Sequence, residues 1–300
     1  FRELEFVSLI DRLPEPKDNG IKTAAPVETV PDELACKLID AEILLRELVD
    51  RLTAAGDFAF DTETTSLSAM NGELVGISFA TNDGESFYIP VGHTGLIETI
   101  QLTLDTVISA IKPVMENSRI AKRAHNGKYD IIILTKHGIK VKNLAFDTMI
   151  AAYLLGEKAL GLKDLSFNRL GLVMTPISDL IGSGKKTILM SQVPVEQVRN
   201  YCGADAAATW HLSELLKPEM EKQGLWPLFA DIEMPLVPVL VDMEMNGVLV
   251  DKEQLKKLSE RLEKEIAALE EEIYKLAGHG FNINSTQQLS KILFEKLGLA

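Results

Sequence analysis

The stretch FAFDTETTSL, residues 58–67, constrains this chain more than any other. An apolar run, Phe58-Ala59-Phe60, leads straight into Asp61-Thr62-Glu63. In a strand, side chains two residues apart share a face, so Asp61 and Glu63 stand side by side. Neighbouring carboxylates repel unless something positive lies between them, and a divalent cation is the usual solution. The other ligands must then come from elsewhere in the chain.

The bulk properties narrow the class. A length of 300 residues suits one large domain or two ordinary ones. Hydrophobic content of 46% with 25% charged residues is that of a water-soluble globular protein. Nothing approaches the unbroken apolar run that a membrane-spanning helix needs, so no membrane partner is expected. The N-terminus, FRELEFVSLIDRLPEPK, lacks the apolar core of a signal peptide and an initiator Met, so it reads as a piece cut from a longer chain. Two cysteines, Cys36 and Cys202, form no C-x-x-C motif, which argues against a disulfide framework or cysteine zinc site and for a reducing cytoplasm. The net charge of −13 argues against a broad grip on duplex DNA. It leaves room for a nucleic-acid enzyme, because carboxylates that hold cations are acidic by construction and the cations face phosphate. Residues 251–300 are nearly balanced, with 8 basic and 9 acidic side chains, so the excess acid lies in the part that contains FDTETTSL.

Periodicity and turn signals give an order of elements. A helix end over residues 1–10 and a Pro-bearing linker to about residue 30 come first. Helical spacing runs from Pro31 to Ala55. Strands follow at Asp57–Phe60, Leu74–Ala80 and Ser86–Pro90, the last two joined by an Asn82-Asp83-Gly84 turn. A helix over 101–117, a strand at Arg119–Ala124 and a helix at Lys128–His137 lead to further helices near 144–155, 162–170 and 194–223. This order predicts an α/β domain with a mixed sheet over residues 31–225. A second, all-helical region is expected from Trp226, with helices at Ile232–Met245, Lys252–Ala277 and Gln287–Leu297, the last capped by Asn284-Ser285-Thr286.

Two more acids stand out. Asp130 lies in HNGKYDIIIL at a helix start, four residues after Asn126. Asp205 lies in RNYCGADAAATW, one helical turn after Tyr201 and among small residues that let a helix approach a sheet. Singly, each has a plain reading: a turn former, an acid at a helix N-terminus, a core tyrosine with a bonded tip. The order D-x-E, N-x-x-x-D, Y-x-x-x-D reverses that balance.

These segments resemble the three motifs of the DEDD-type 3′–5′ proofreading exonucleases, in the variant with Tyr in the third motif. FDTMIAAYLLG, GSGKK, YCGADAAATWHL, IEMPLVPVLVDMEMNGV and NINSTQQLSKILFEKLGL extend the resemblance, in order, to the large fragment of the family A polymerases of the bacterial DNA polymerase I kind. FRELEFVSLIDRLPEP resembles the stretch after that family's 5′-nuclease domain. The resemblance implies a ribonuclease-H-like fold for the first region and, from residue 226, the opening of the polymerase region. Palm and fingers have no counterpart after Gly224, so this stretch is not expected to synthesise DNA; a polymerase half of the same protein is the expected partner.

The resemblance further implies hydrolysis with two divalent cations, Mg²⁺ with Mn²⁺ or Zn²⁺ as substitutes, held by Asp61, Glu63, Asp130 and Asp205. Tyr201 would orient the attacking water. Leu67 would wedge against the terminal base, Asn126 would touch the terminal sugar, and Lys128, Tyr129 and Lys185 would contact the substrate, DNA with a single-stranded or frayed 3′ end. A cytoplasmic, nucleoid-associated location follows. His125 stands where the family often has Gln, and is read either as a metal ligand or as a substrate-facing polar residue. Ile177 falls where an aromatic is common. Gly182–Thr187 departs from a phosphate loop at Lys186. Two other readings stay open on the residues alone: a catalytically silent structural module, and a free-standing RNA-trimming enzyme. The four acids with Tyr201 argue against the first, and the polymerase-like stretch after Ile232 against the second.

Overall fold

The computed structural model describes residues 36–82, 84–95 and 100–299, apart from the Lys185 side chain. The expected N-terminal helix end and linker, and Asp83 of the expected turn, lie outside these residues. In chain order the elements are β1 (Cys36–Leu38), α1 (Glu42–Ala55), β2 (Asp57–Thr64), β3 (Leu74–Ala80), β4 (Ser86–Pro90), α2 (Leu104–Met115), β5 (Ala121–Ala124) and α3 (Gly127–Lys136). They continue with β6 (Leu144–Asp147), α4 (Thr148–Leu154), α5 (Leu162–Leu165), α6 (Ile177–Ile181), α7 (Val195–Lys222), α8 (Trp226–Leu228), α9 (Met234–Asn246), α10 (Lys252–Ala277) and α11 (Thr286–Ser290).

The six strands form one mixed sheet in the order β1-β4-β3-β2-β5-β6. β2 lies inside it, antiparallel to β3 and parallel to β5. The mixed sheet and the helices that follow agree with the expected fold class. Alternation along β2 sorts its side chains. Phe58 and Phe60 enter the main core with Leu45, Leu48 and Leu52 of α1 and Val107 and Ile111 of α2. Ala59, one residue out of phase, packs instead with Ala80 and with Ala206, Ala207 and Trp210 of α7. The small residues of α7 are needed for this approach. A Cβ on Gly203 would stand 2.5 Å from the Cys36 Cβ, well inside van der Waals contact.

Two short strands depart from the sequence reading. Residues 36–38, expected as helix, pair in parallel with β4, and Cys36 lies opposite Ser86. Residues 144–147, also expected as helix, form the edge strand β6 beside β5. Strands this short show no period of their own, so each was absorbed into the helix that follows it.

The described chain divides into two compact units, up to Asn246 and from Gly247. The helices between Trp226 and Asn246 therefore belong with the sheet domain. Their reason is apolar: Trp226 and Phe229 pack on Phe146 of β6, with ring centroids 6.4 and 4.9 Å away. Val237 and Val241 of α9 enter the main core. In the second unit, α10 is capped by the Asp251 carboxylate and α11 by the Ser285 hydroxyl. Lys296 Nζ donates to the Ala277 carbonyl at 2.6 Å, which ties the end of α10 to the last turn. Among the described residues no single helix is long and apolar enough to cross a membrane.

Candidate metal centre

The same alternation that places Ala59 against α7 sends Asp61 and Glu63 to that helix. Asp205 meets them from α7, and one carboxylate oxygen from each of the three acids lies within 4.8 Å of the others. Asp61 and Glu63 are half-buried and Asp205 is buried. Burial pushes all three carboxyls up, and neighbouring acids add to it at two of them: Asp61 is held well above its usual range and Glu63 is raised to about 8. Asp205 rises less, to about 6, because Lys163 and the Tyr201 hydroxyl oppose its burial. Acids held this way take up either protons or cations. Three hard oxygen donors converging on one point suit a hard divalent cation.

Asp130 stands beside this triad rather than in it. Its Oδ1 accepts from the Thr62 backbone N–H at 3.0 Å and from the Thr62 hydroxyl at 2.5 Å. Thr62 points to the opposite face of β2 from Asp61 and Glu63, so it carries Asp130 to the strand's other side. Burial pushes Asp130 up to about 7 against those two bonds, and its charge raises Asp61 in turn. Asp61 and Asp130 share a cleft with His125, Asn126, Tyr129, Leu160 and Gly161.

The other expected residues fall at several distances from the chemistry. Tyr201 is buried, bonded to Asp205, and its phenol is pushed far up by burial and then by the acids. Asn126 takes a left-handed conformation, φ 58°, before α3, which Asn tolerates better than most residues. Tyr129 bonds Thr64 and the Ser66 carbonyl and so pins the loop that bears Leu67, which is 96% exposed. Lys128 does not face the cleft freely: its ammonium pairs with Glu244 of α9. Lys185 lies in a 3-10 turn, and its side chain is outside the described residues. His125 Nδ1 lies 2.8 Å from the Thr148 hydroxyl, and burial pushes the ring down to about 4, so it is neutral. It is not among the three converging acids. Ile177 is partly exposed on α6.

Three residues escaped the sequence reading. Buried Asp147 accepts from the N–H groups of Asn126 (3.2 Å), Gly127 (2.8 Å), Met149 (2.9 Å) and Ile150 (3.3 Å). It thereby joins the N-termini of α3 and α4; its signal was the Asp-Thr before an apolar run, an N-cap pattern. Cys202, next to Tyr201, donates its thiol to Glu63. Lys163 of α5 pairs with Asp205 at 3.4 Å and lies 3.9 Å from the Tyr201 ring centroid.

Comparison with known proteins agrees with this geometry. The 3′–5′ exonuclease family matches residues 36–221, and the DNA polymerase family A matches residues 252–300. DNA polymerase I of Chloroflexus aurantiacus is 42% identical over all of this chain and 34% of its own length. DNA polymerase I of Pseudomonas aeruginosa is 36% identical over all of this chain and 33% of its own. The chain thus spans about a third of the length of the curated relatives it matches. Two solved structures share the fold. The POL domain of Pol1 from M. smegmatis, in complex with DNA primer-template and dNTP, has a TM-score of 0.64 at 22% identity, over 84% of this chain and 40% of that one. NrnC of Brucella melitensis has a TM-score of 0.50 at 19% identity, over 64% of this chain and 86% of its own. The chain belongs to the 3′–5′ exonuclease family and carries the exonuclease domain found in DNA polymerase I.

Proposed function

We propose that this domain removes nucleotides from the 3′ end of DNA by metal-dependent hydrolysis, as the proofreading part of a longer polymerase. The convergence of Asp61, Glu63 and Asp205 within 4.8 Å carries the reading. These three acids would hold one divalent ion, and Asp130, in the same cleft as Asp61, would help hold a second. Magnesium is the first candidate, with Mn²⁺ or Zn²⁺ as substitutes. Two such ions, when bound, stabilise the attacking and leaving oxygens of an in-line displacement.

The chain's own residues supply position. A phenol pushed up as far as that of Tyr201 keeps its proton at neutral pH. Tyr201 therefore orients the attacking water through a hydrogen bond and does not act as a base, with Glu63 as the other partner of that water. Thr62 locks Asp130 in place, and Cys202 and Lys163 restrain Glu63 and Asp205. Leu67, on the loop pinned by Tyr129, wedges against the terminal base, and Asn126 meets the terminal sugar. A 3′ end must unpair to bring its last phosphate into this cleft, so single-stranded or frayed DNA is the substrate. The remainder of the polymerase is the partner within the same protein, in the cytoplasm.

Digestion of a 5′-labelled single strand with Mg²⁺ or Mn²⁺ tests the reading. A ladder shortening from the 3′ end, abolished by EDTA and by D61A, is expected. No cleavage by folded protein overturns it in favour of a silent structural module.

A further inference from the structure

The cluster of Asp61, Glu63 and Asp205 faces a cation, Lys163, to which the proposed chemistry gives no more than a restraining contact. Lys163 Nζ lies 3.4 Å from Asp205 Oδ1 and 3.9 Å from the centroid of the Tyr201 ring. One ammonium thus touches both functional residues of the third motif, the carboxylate through charge and the phenol through its π face. Its place is built. Lys163 is the second residue of α5, which starts beside Gly161 on the cleft wall. Leu165 buries the same turn in a core shared with Leu212 and Leu216 of α7. The stem is therefore anchored to the helix that carries Asp205, while the flexible four-carbon chain leaves the partly exposed head free to swing.

We propose that Lys163 is the resident counter-ion of the carboxylate cluster, a positioning residue that holds Asp205 and Tyr201 in place without metal and must leave Asp205 when a divalent cation binds. This rests on the metal-binding reading above. A monovalent and a divalent cation at contact distance from one carboxylate repel strongly at half-buried sites. The same charge also offsets the repulsion among Asp61, Glu63 and Asp205, whose carboxylates lie within 4.8 Å of one another. The lysine thereby keeps the cluster assembled, at the expense of metal affinity. Removing its charge is expected to weaken the metal-free fold and tighten the metal.

The test is calorimetric titration of this 300-residue chain with MnCl₂ at about pH 8, where metal competes with fewer protons than at lower pH. Wild type, K163M and K163R are compared, with thermal melts in EDTA. K163M is expected to bind Mn²⁺ about tenfold more tightly than wild type, from loss of one cation at short range. Its EDTA-treated form is expected to melt lower, and K163R to restore wild-type affinity. Folded K163M with unchanged or weaker affinity overturns the proposal, since a merely structural lysine would not tighten the metal when removed. Failure of wild type to bind Mn²⁺ overturns the metal reading itself. Crystal structures of wild type with EDTA and with Mn²⁺ decide the matter if K163M does not fold: Lys163 Nζ is expected beyond salt-bridge distance from Asp205 in the second. Retention of the ion pair beside bound Mn²⁺ overturns the proposal.

Discussion

Asp57 and Asp61 stand on the same strand, on the same face, against the same helix, yet their surroundings are opposite. Asp57, at the start of β2, meets Arg123 of β5, whose Nε lies 3.0 and 3.1 Å from the two carboxylate oxygens. The guanidinium also bonds Ser213 and Glu214 of α7 and stacks 3.8 Å from the Trp210 ring centroid. Every charge there has a bonded partner. Asp61, at the other end, meets three acids and one lysine that bonds Asp205 instead. The first end is a finished ion-pair network. The second is short of positive charge, and protons or an added cation make up the difference. The contrast teaches that an acid on this face is structural or functional according to whether an arginine faces it.

The largest effect expected from breaking this contrast is on turnover. D61A should lower the cleavage rate by on the order of 10³-fold or more, as loss of a group that organises transition-state charge does. Its melting temperature in EDTA should equal or exceed that of wild type, because one of the repelling acids is gone. A variant that unfolds would make Asp61 a structural acid like Asp57. R123M probes the opposite end. Leaving Asp57 and Glu214 without their shared guanidinium should cost about 3 kcal/mol in urea unfolding, with Mn²⁺ affinity unchanged. A loss of metal affinity there would mean that the two ends are not independent.

The two ends should also separate on a pH axis. Glu63, Asp130 and Asp205 are raised by burial to about 8, 7 and 6, above their unfolded values. Between the ordinary carboxylate range and about pH 8, the metal-free fold holds more protons than the unfolded chain. Its stability is therefore fullest below that window and falls as pH rises through it, by about 1.4 kcal/mol per pH unit for each extra proton held. Melts in EDTA across this range should show the fall, and D61A should flatten it. Saturating Mn²⁺ should flatten the slope, because the metal displaces those protons and the unfolded chain holds none in this range. The smallest effect belongs to Tyr201. Y201F should lower the rate about tenfold through the lost water contact, with Mn²⁺ affinity within about twofold of wild type. Equal turnover would remove Tyr201 from that role.

Much of the fold was legible because long elements carry their own period. β2 to β4, α7 and α10 were expected close to where they lie. β1 and β6, of three and four residues, were not, since strands so short take their identity from the neighbour they pair with. Val237 and Val241 of α9 lie in the sheet domain's core, and the compact unit that holds that domain runs to Asn246. Of the candidate site, Asp61 and Glu63 share a face as their spacing required, and Asp205 joins them. Lys163 was not legible, because a lysine on a one-turn helix reads as a solvated charge.

The sequence by itself determined which acids share a face, because alternation in a strand and the turn of a helix act over a few residues. It also determined that α7 can approach the sheet, because small side chains permit nothing else to fill the gap. Which acid is neutralised and which is left for a cation was decided only by the tertiary structure. Arg123 reaches Asp57 from 66 residues away and Lys163 reaches Asp205 from 42. Charge balance depends on distance through space, and folding brings those partners to contact while leaving Asp61 and Glu63 facing one another.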